Sequence, residues 1–120
     1  MSLMDLSVGI KLFNNHDFFS AHDFFENMWM DSDKVNKLFL QGMVQVSVGS
    51  YHTVCGNYNG AESQYKKALI KLSKFSSNFC EINVEFLINN IKLMLEEINK
   101  VKTKKKTVID LNLLPTIKQI

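Results

Sequence analysis

Apolar residues recur at helical spacing along almost the whole chain, and this period constrains the fold more than any other feature. Residues three, four and seven apart lie on one face of a helix, so each recurring stripe predicts one amphipathic helix. Four segments carry such a stripe: Leu3, Leu6, Ile10 and Phe13; then Phe18, Ala21, His22, Phe25 and Trp29; then Ala61, Tyr65, Ala68, Leu69, Leu72 and Phe75; finally Val84, Leu87, Ile88, Ile91, Leu95 and Ile98. A fifth segment, residues 34–54, is apolar on several faces and predicts the central helix. The chain is therefore predicted to be all-α.

Capping and turn residues set the predicted helix boundaries. Asp17 and Asn83 can accept amide protons at the start of the second and fifth helices. The helices are predicted at about residues 3–13, 18–30, 34–54, 58–75 and 84–102. Gly42 and Gly49 lie in the third helix, and we expect another backbone to approach closely there, because glycine costs helix stability.

An internal repeat at an offset of 40 residues relates the first two helices to the next two. The aligned pairs are Gly9 and Gly49, Asp17 and Asn57, Phe18 and Tyr58, Ala21 and Ala61, Phe25 and Tyr65, and Trp29 and Leu69. The pattern resembles a tetratricopeptide helical hairpin, especially over residues 56–69. Two hairpins are too few for an open solenoid, so we predict a compact five-helix bundle closed by the C-terminal helix. Residues 1–102 form this single domain, and residues 103–120 form a tail that is basic, then apolar.

Charge and composition exclude several classes of protein. All 14 basic residues of the 120 are Lys, which argues against nucleic-acid recognition, since Arg is the commonest specific reader of guanine. Residues 100–106 carry five Lys, which form either a solvated helix end or a patch for an acidic partner. Residues 38–61 are uncharged, but polar residues interrupt them, so we expect a buried helix and no membrane span. The start of the chain lacks a secretory signal pattern, and Cys55 and Cys80 form no disulfide framework, so secretion is not expected.

One polar constellation could carry chemistry. His22, Glu26 and Trp29 read H-x-x-x-E-x-x-W, and their spacing places them on one helix face that we expect to point inward. The third helix adds Gln41, Gln45 and His52. If the second and third helices are antiparallel neighbours, His22, Glu26, Gln45 and His52 converge.

Three interpretations of this cluster stay open. In the first interpretation the cluster is a buried hydrogen-bond network, because unpaired polar groups in a core are costly. In the second it is a metal site in which His22, Glu26 and His52 bind zinc, iron or manganese and support hydrolytic or oxidative chemistry. In the third it is a ligand pocket that contains no metal. Neither a Gly-rich phosphate loop nor the H-E-x-x-H pattern of zinc proteases is present.

Two blocks of this sequence resemble a known family. The first runs Gly9, Leu12-Phe13-Asn14, Phe18-Phe19, Ala21-His22-Asp23, Glu26, Trp29, and the second runs Phe39, Gln41-Gly42, Gln45, His52, Gly56-Asn57, Gly60-Ala61. Over roughly residues 7–100 they resemble the small helical family catalogued as domain of unknown function 309, with members in bacteria, archaea and algal plastids. The resemblance implies a helical bundle whose H-x-x-x-E-x-x-W motif has been suggested to bind metal, here through His22 and Glu26. Asp23 stands where Glu commonly follows the histidine.

The functional expectation is a non-enzymatic interaction or ligand-binding module with a buried His/Glu/Gln cluster. Its partner is an unknown protein or a small ligand. The alternative is a metal-dependent enzyme that uses His22, Glu26 and His52. A chain rich in Lys and Asn, without Arg, in a family with plastid members predicts a plastid-encoded protein of the stroma, or otherwise a cytoplasmic one.

Overall fold

Five α-helices form the protein, as the apolar period predicts. The computed structural model describes residues 4–120, so the predicted contribution of Leu3 lies outside the described residues. The elements are α1 (Ser7–Asn14), α2 (Phe18–Met30), α3 (Lys34–Val54), α4 (Tyr58–Leu72), β1 (Asn78–Phe79), β2 (Ile82–Asn83), α5 (Val84–Lys102) and a 3₁₀ turn (Leu111–Leu113). The first helix begins four residues later than predicted and the fourth ends three residues earlier. The antiparallel β1–β2 hairpin lies between α4 and α5, in a stretch for which the sequence predicts no secondary structure.

Short polar side chains start the helices in the predicted way. The Asp17 side chain accepts the amide proton of Ser20 at 3.3 Å, and the Asn83 side chain accepts that of Phe86 at 3.0 Å. Each bond satisfies an amide that the helix itself leaves unpaired, which fixes where the helix begins.

The 40-residue repeat is visible in the backbone of the two turns. His16, between α1 and α2, has a φ of 64°, and Gly56, between α3 and α4, has a φ of 79°. The amides of Asp17 and Asn57, one residue further on, donate to carbonyls five residues back at 2.9 and 2.8 Å. The two helical pairs are therefore joined by turns of the same geometry.

Two helix glycines make room for large side chains. A Cβ on Gly49 would lie 2.8 Å from the Tyr65 ring, and one on Gly42 would lie 2.9 Å from Leu72. The expected close neighbour is thus a side chain of α4, and the prediction of a second backbone at this position is wrong. The aromatic and branched side chains of α4 fill the space that the missing Cβ atoms leave.

One hydrophobic core extends from α1 and α2 through α3 and α4 to α5 and the C-terminal segment. Its largest fully buried side chains are Tyr65, Phe13, Phe25, Phe39, Leu40, Met43, Leu72, Ile82, Leu87, Ile91, Met94 and Ile98. The Tyr65 hydroxyl is paired with the Ser50 hydroxyl at 2.8 Å, and burial raises the pKa of Tyr65 to about 12. This buried polar pair satisfies a hydroxyl that would otherwise be costly in the core.

The C-terminal segment lies against the bundle and closes it. Ile109, Leu114 and Ile117 are buried, whereas Leu111 is 51% exposed. The Asn14 side-chain amide bonds both the N–H and the C=O of Ile117, each at 2.8 Å. Further along, Gln119 forms an antiparallel bridge with Ile82 of the hairpin. The last residues therefore add a third strand-like segment beside β2.

A buried carboxylate fixes the start of this segment. Glu97 on α5, 2% exposed, accepts a bond from the Lys106 ammonium at 2.6 Å and another from the Asp110 amide at 2.8 Å. Lys102, in the same Lys run, pairs with Glu62 of α4 at 2.9 Å. Part of the run is therefore used for internal pairing. None of the helices within residues 4–120 has the length and apolar character needed to cross a membrane.

Candidate functional site

Helices α2 and α3 are antiparallel neighbours, which is the condition that the sequence analysis set for its polar residues to converge. The Phe19 ring at the start of α2 lies 5.9 Å from the Tyr51 ring near the end of α3. At the other end, the Lys37 ammonium of α3 lies 4.8 Å above the Trp29 ring of α2. The surface groove between these helices, from Phe19 and Tyr51 to Trp29 and Lys37, is called the α2/α3 crevice below.

The His22 and Glu26 side chains are paired, but at the surface. His22 Nε2 lies 2.9 Å from Glu26 Oε2, and His22 Nδ1 lies 3.3 Å from Asp23 Oδ1. The histidine side chain is 24% exposed, while the two carboxylates are 55% and 56% exposed. The expectation of a buried cluster is therefore wrong for the acidic members. Carboxylates on this helix face keep their solvation because only part of the face is covered by α3.

One end of the α2/α3 crevice is an apolar hollow of about 220 Å³, called the aromatic cleft. It is lined by Phe18, Phe19, His22, Val48, Tyr51 and His52. Phe19 is 57% exposed and Tyr51 is 42% exposed, so both rings form the rim. The predicted residues His22 and His52 thus do meet, as two walls of one cleft.

The other end holds a smaller hollow of about 180 Å³, called the tryptophan cleft. It is lined by Glu26, Trp29, Gln41 and Val44, three of which belong to the predicted set. The His22–Glu26 contact joins the two clefts, because His22 lines the first and Glu26 the second. The seven predicted site residues are therefore divided between two adjacent hollows and the surface between them.

Gln45 lies on α3 between the two clefts in sequence and lines neither. Its Oε1 atom is buried and has no hydrogen-bond partner among the described residues. The interpretation of the cluster as a buried hydrogen-bond network is therefore not supported at this oxygen atom.

The predicted metal ligands are not assembled. Within residues 4–120, no group of three or more His, Cys, Asp or Glu side chains is placed to hold a metal ion. Both ring nitrogens of His22 face carboxylates, while His52 Nδ1 lies 3.4 Å from the side-chain nitrogen of Asn57. The ring nitrogens of His22, and Nδ1 of His52, which would have to bind the metal, therefore already lie next to other side chains. Zinc, iron or manganese binding stays a prediction that the geometry does not favour.

Sequence reasoning missed Phe19, Val48 and Tyr51, which form half of the aromatic cleft. The signal was present in the adjacent pairs Phe18-Phe19 and Tyr51-His52. Neighbouring residues on a helix point about 100° apart, so both members of an aromatic pair cannot face one core. One ring of such a pair must lie at the edge of the packed face or in solvent.

The charges in the middle of the crevice are negative. Helix α2 carries Asp23 and Glu26 and has no Lys, and residues 38–57 of α3 and the following turn contain no Asp, Glu or Lys. Lys34 and Lys37 lie at the tryptophan end only. The middle and the aromatic end of the crevice therefore favour a cationic ligand.

The fold and the crevice together define the class of protein: a small all-α domain whose surface crevice is lined by aromatic rings and edged by carboxylates. Residues 6–64 of the chain match the model of the family described as Domain of unknown function (DUF309). This match supports the family that the sequence resembles, and the matched range contains every residue lining the α2/α3 crevice. A search of curated proteins finds no match to the chain. The metal role of the motif and the plastid location stay predictions.

Proposed function

We propose that this protein is a non-enzymatic binding module that holds a segment of another protein in the α2/α3 crevice. The observation that carries the proposal is the exposure of Phe19 and Tyr51, at 57% and 42%, around a hollow of about 220 Å³. Folding has left two aromatic rings at the surface, 5.9 Å apart, although the core next to them is closed.

Covering these rings would supply most of the binding free energy. Burial of apolar surface contributes roughly 25 cal/mol per Å², and aromatic side chains around a pocket commonly dominate binding energy. The cleft is of a size to receive one large apolar side chain of a partner. Single exposed apolar residues are ordinary, but rings that surround a hollow are typical of a binding site.

The polar cluster would orient the ligand. His22 is held between Asp23 and Glu26, so its ring has a fixed direction at the wall of the aromatic cleft. Glu26 and Gln41 would offer hydrogen-bond acceptors and donors beside Trp29. Such a small set of polar groups beside an apolar hollow provides specificity without requiring a reaction.

We also propose that the two helical pairs are tetratricopeptide-like. The support is the shared turn geometry at His16 and Gly56, together with matched close contacts of Gly9 with Phe25 and Gly49 with Tyr65. A repeated helical pair leaves a crevice between successive pairs, and α2 and α3 form that junction here. This arrangement is consistent with a binding module and carries no catalytic implication.

Selection from a library of displayed random peptides tests the function. We expect specific peptides to be enriched on the wild-type protein and lost on the variant Phe19→Ser/Tyr51→Ser. The matched control is Ile70→Ser/Leu93→Ser, which removes two apolar side chains that are 64% and 51% exposed on other helices. It should retain the selected peptides.

The outcomes that contradict the proposal are equally clear. Absence of enrichment on the wild type, or equal binding by both double variants, would overturn it. Near-stoichiometric metal in the purified protein that disappears in His22→Ala would favour the metal-dependent enzyme instead. Far-UV circular dichroism of each variant checks that the helices are retained.

A further inference from the structure

The α2/α3 crevice has a length, a charge and an exposed side-chain amide that together specify its ligand. We infer that it selects an extended peptide segment with two apolar anchors four residues apart and a Lys or Arg midway between them. This inference rests on the proposed binding function and adds the class of sequence that is bound. It follows from three observations: the spacing of the clefts along α3, the position of the carboxylates and the exposed amide of Gln41.

The distance between the clefts sets the spacing of the anchors. On α3 the aromatic cleft is lined by Val48, Tyr51 and His52, and the tryptophan cleft by Gln41 and Val44. On α3, the midpoint of the residues that line one cleft lies about eight residues from the midpoint of those that line the other. Eight residues correspond to about 12 Å along a helix. An extended chain advances about 3.3 Å per residue, so residues i and i+4 lie about 13 Å apart. They also point to the same side, as both anchors must.

The position of the carboxylates sets the charge of the middle residue. In an extended chain, residue i+2 points to the same side as the anchors and lies halfway between them. That point faces the His22–Glu26 pair, which connects the two clefts. The Glu26 and Asp23 side chains are both more than half exposed and lie on either side of the His22 ring, and α2 carries no Lys. A Lys or Arg at i+2 therefore meets the Glu26 carboxylate, with Asp23 close by.

The side-chain amide of Gln41 on α3 favours an extended ligand over a helical one. Gln41 is exposed and lines the tryptophan cleft, so a ligand there can reach both its N–H and its C=O groups. Amide groups pair with free backbone N–H and C=O groups, which an extended segment presents and a helix uses internally. A partner segment without its own backbone pairing thus fits this surface better.

The two hollows differ in the anchor that they accept. The aromatic cleft, at about 220 Å³ with rings on its rim, fits an aromatic side chain packed against Phe19 and Tyr51. The tryptophan cleft is smaller, and the Lys37 ammonium already lies over the Trp29 ring. It fits a branched aliphatic side chain packed against Val44 and the exposed edge of the indole.

Synthetic peptides test the inference directly. The parent is acetyl-Gly-Phe-Ser-Lys-Ser-Leu-Gly-amide, and its variants replace Lys with Glu, or delete or add one Ser to change the anchor spacing. Trp29 is the chain's single tryptophan and the peptides contain none, so its fluorescence reports occupancy of the tryptophan cleft. A second series, with fluorescein on the peptide, gives the dissociation constant by anisotropy.

We expect the parent to bind most tightly, and the Lys-to-Glu peptide about tenfold more weakly, because attraction to two carboxylates becomes repulsion. Changing the spacing by one residue should turn the second anchor away and remove the Trp29 signal. In the protein variant Glu26→Gln the preference for Lys over Glu should shrink to a few-fold. The control Glu85→Gln, on α5 outside the crevice, should keep the full preference.

The results separate this inference from the proposed function. If the peptides bind wild type but not Phe19→Ser/Tyr51→Ser, and do so regardless of spacing and charge, the selectivity is wrong while the binding module stands. A longer helical peptide with anchors eight residues apart that binds better than the parent would also overturn the extended ligand. If neither designed nor displayed peptides bind wild type, the proposed function itself fails.

Discussion

Gln45 holds a buried amide oxygen that no hydrogen-bond donor of residues 4–120 reaches. A buried acceptor without a partner loses the hydrogen bonds that it makes with water in the unfolded chain, which costs about 1–3 kcal/mol. The cost is therefore expected to appear directly in the free energy of unfolding.

Replacing Gln45 with Met tests this cost. Met has a similar length and no polar atom, so Gln45→Met should raise the free energy of unfolding by about 1 kcal/mol. Urea denaturation followed by circular dichroism measures the change. Gln41→Met serves as the control, since Gln41 is exposed and its replacement should change stability by less than about 0.5 kcal/mol. A destabilised Gln45→Met would show that the amide is satisfied in solution.

For individual residues, the sequence predicted which side chains lie close together but not which of them are buried. The four-residue spacing of His22 and Glu26 correctly predicted their contact, because helical geometry alone determines it. Whether the pair faces core or solvent depends on how far α3 and α1 cover α2, which no local pattern encodes. Likewise, the exposure of Phe19 depends on the packing of its neighbour Phe18 into the core.

The turn of the β1–β2 hairpin contains two consecutive residues with a strained backbone. Its two central residues, Cys80 and Glu81, have φ values of 49° and 62°. A two-residue turn with both φ values positive normally contains Asn-Gly, because a side chain costs about 1–2 kcal/mol in this conformation. Cys80 packs partly against the core, whereas Glu81 is exposed. The strain at Glu81 can therefore be relieved without disturbing the packing.

Glu81→Gly should stabilise the protein by about 1 kcal/mol, because glycine adopts a positive φ without a steric penalty. Thermal unfolding followed by circular dichroism measures the gain. Glu81→Ala is the matched control: it removes the same carboxylate but keeps a Cβ, so it should give no comparable gain. Equal melting temperatures for the two variants would indicate a charge effect and contradict the backbone explanation.

Helices were predictable from this sequence and the hairpin was not. The stripe from Val84 to Ile98 extends over four turns and identifies α5 by itself. By contrast, β1 and β2 have two residues each, too few to show an alternating pattern. Backbone pairing with the distant C-terminal segment stabilises these strands, through the bridge of Ile82 with Gln119 and the hydrogen bond from the Asn83 amide to the Lys118 carbonyl. Pairing over such a sequence distance leaves no local signal.

Across the whole molecule, the C-terminal segment depends on one buried carboxylate. The Lys106 ammonium, and secondly the Asp110 amide, hold the pKa of Glu97 below its ordinary value. A carboxylate with a lowered folded-state pKa stabilises the fold above the ordinary Glu pKa. That stabilisation is lost as the pH falls through the lowered pKa.

We therefore expect the segment from Lys106 to Asp110 to detach from α5 in acid before the helices unfold. Amide hydrogen exchange measured between pH 6 and pH 3 should show loss of protection at Asp110 as Glu97 becomes protonated. Glu97→Gln should show the low protection already at pH 6, and should remove most of the pH dependence. Glu96→Gln, an exposed neighbour, should behave like wild type. Unchanged protection in Glu97→Gln would mean that apolar packing alone holds the segment.

The amide of Asn14 meets Ile117 across 103 residues of sequence. During synthesis, α1 through α4 leave the ribosome long before that partner does. Contacts so distant in sequence form late, after the local helices, because the intervening chain must first be ordered. The first helix therefore receives these hydrogen bonds only after residue 117 has been synthesised, and a nascent chain paused before that residue would hold a crevice whose supporting helix is still incompletely anchored.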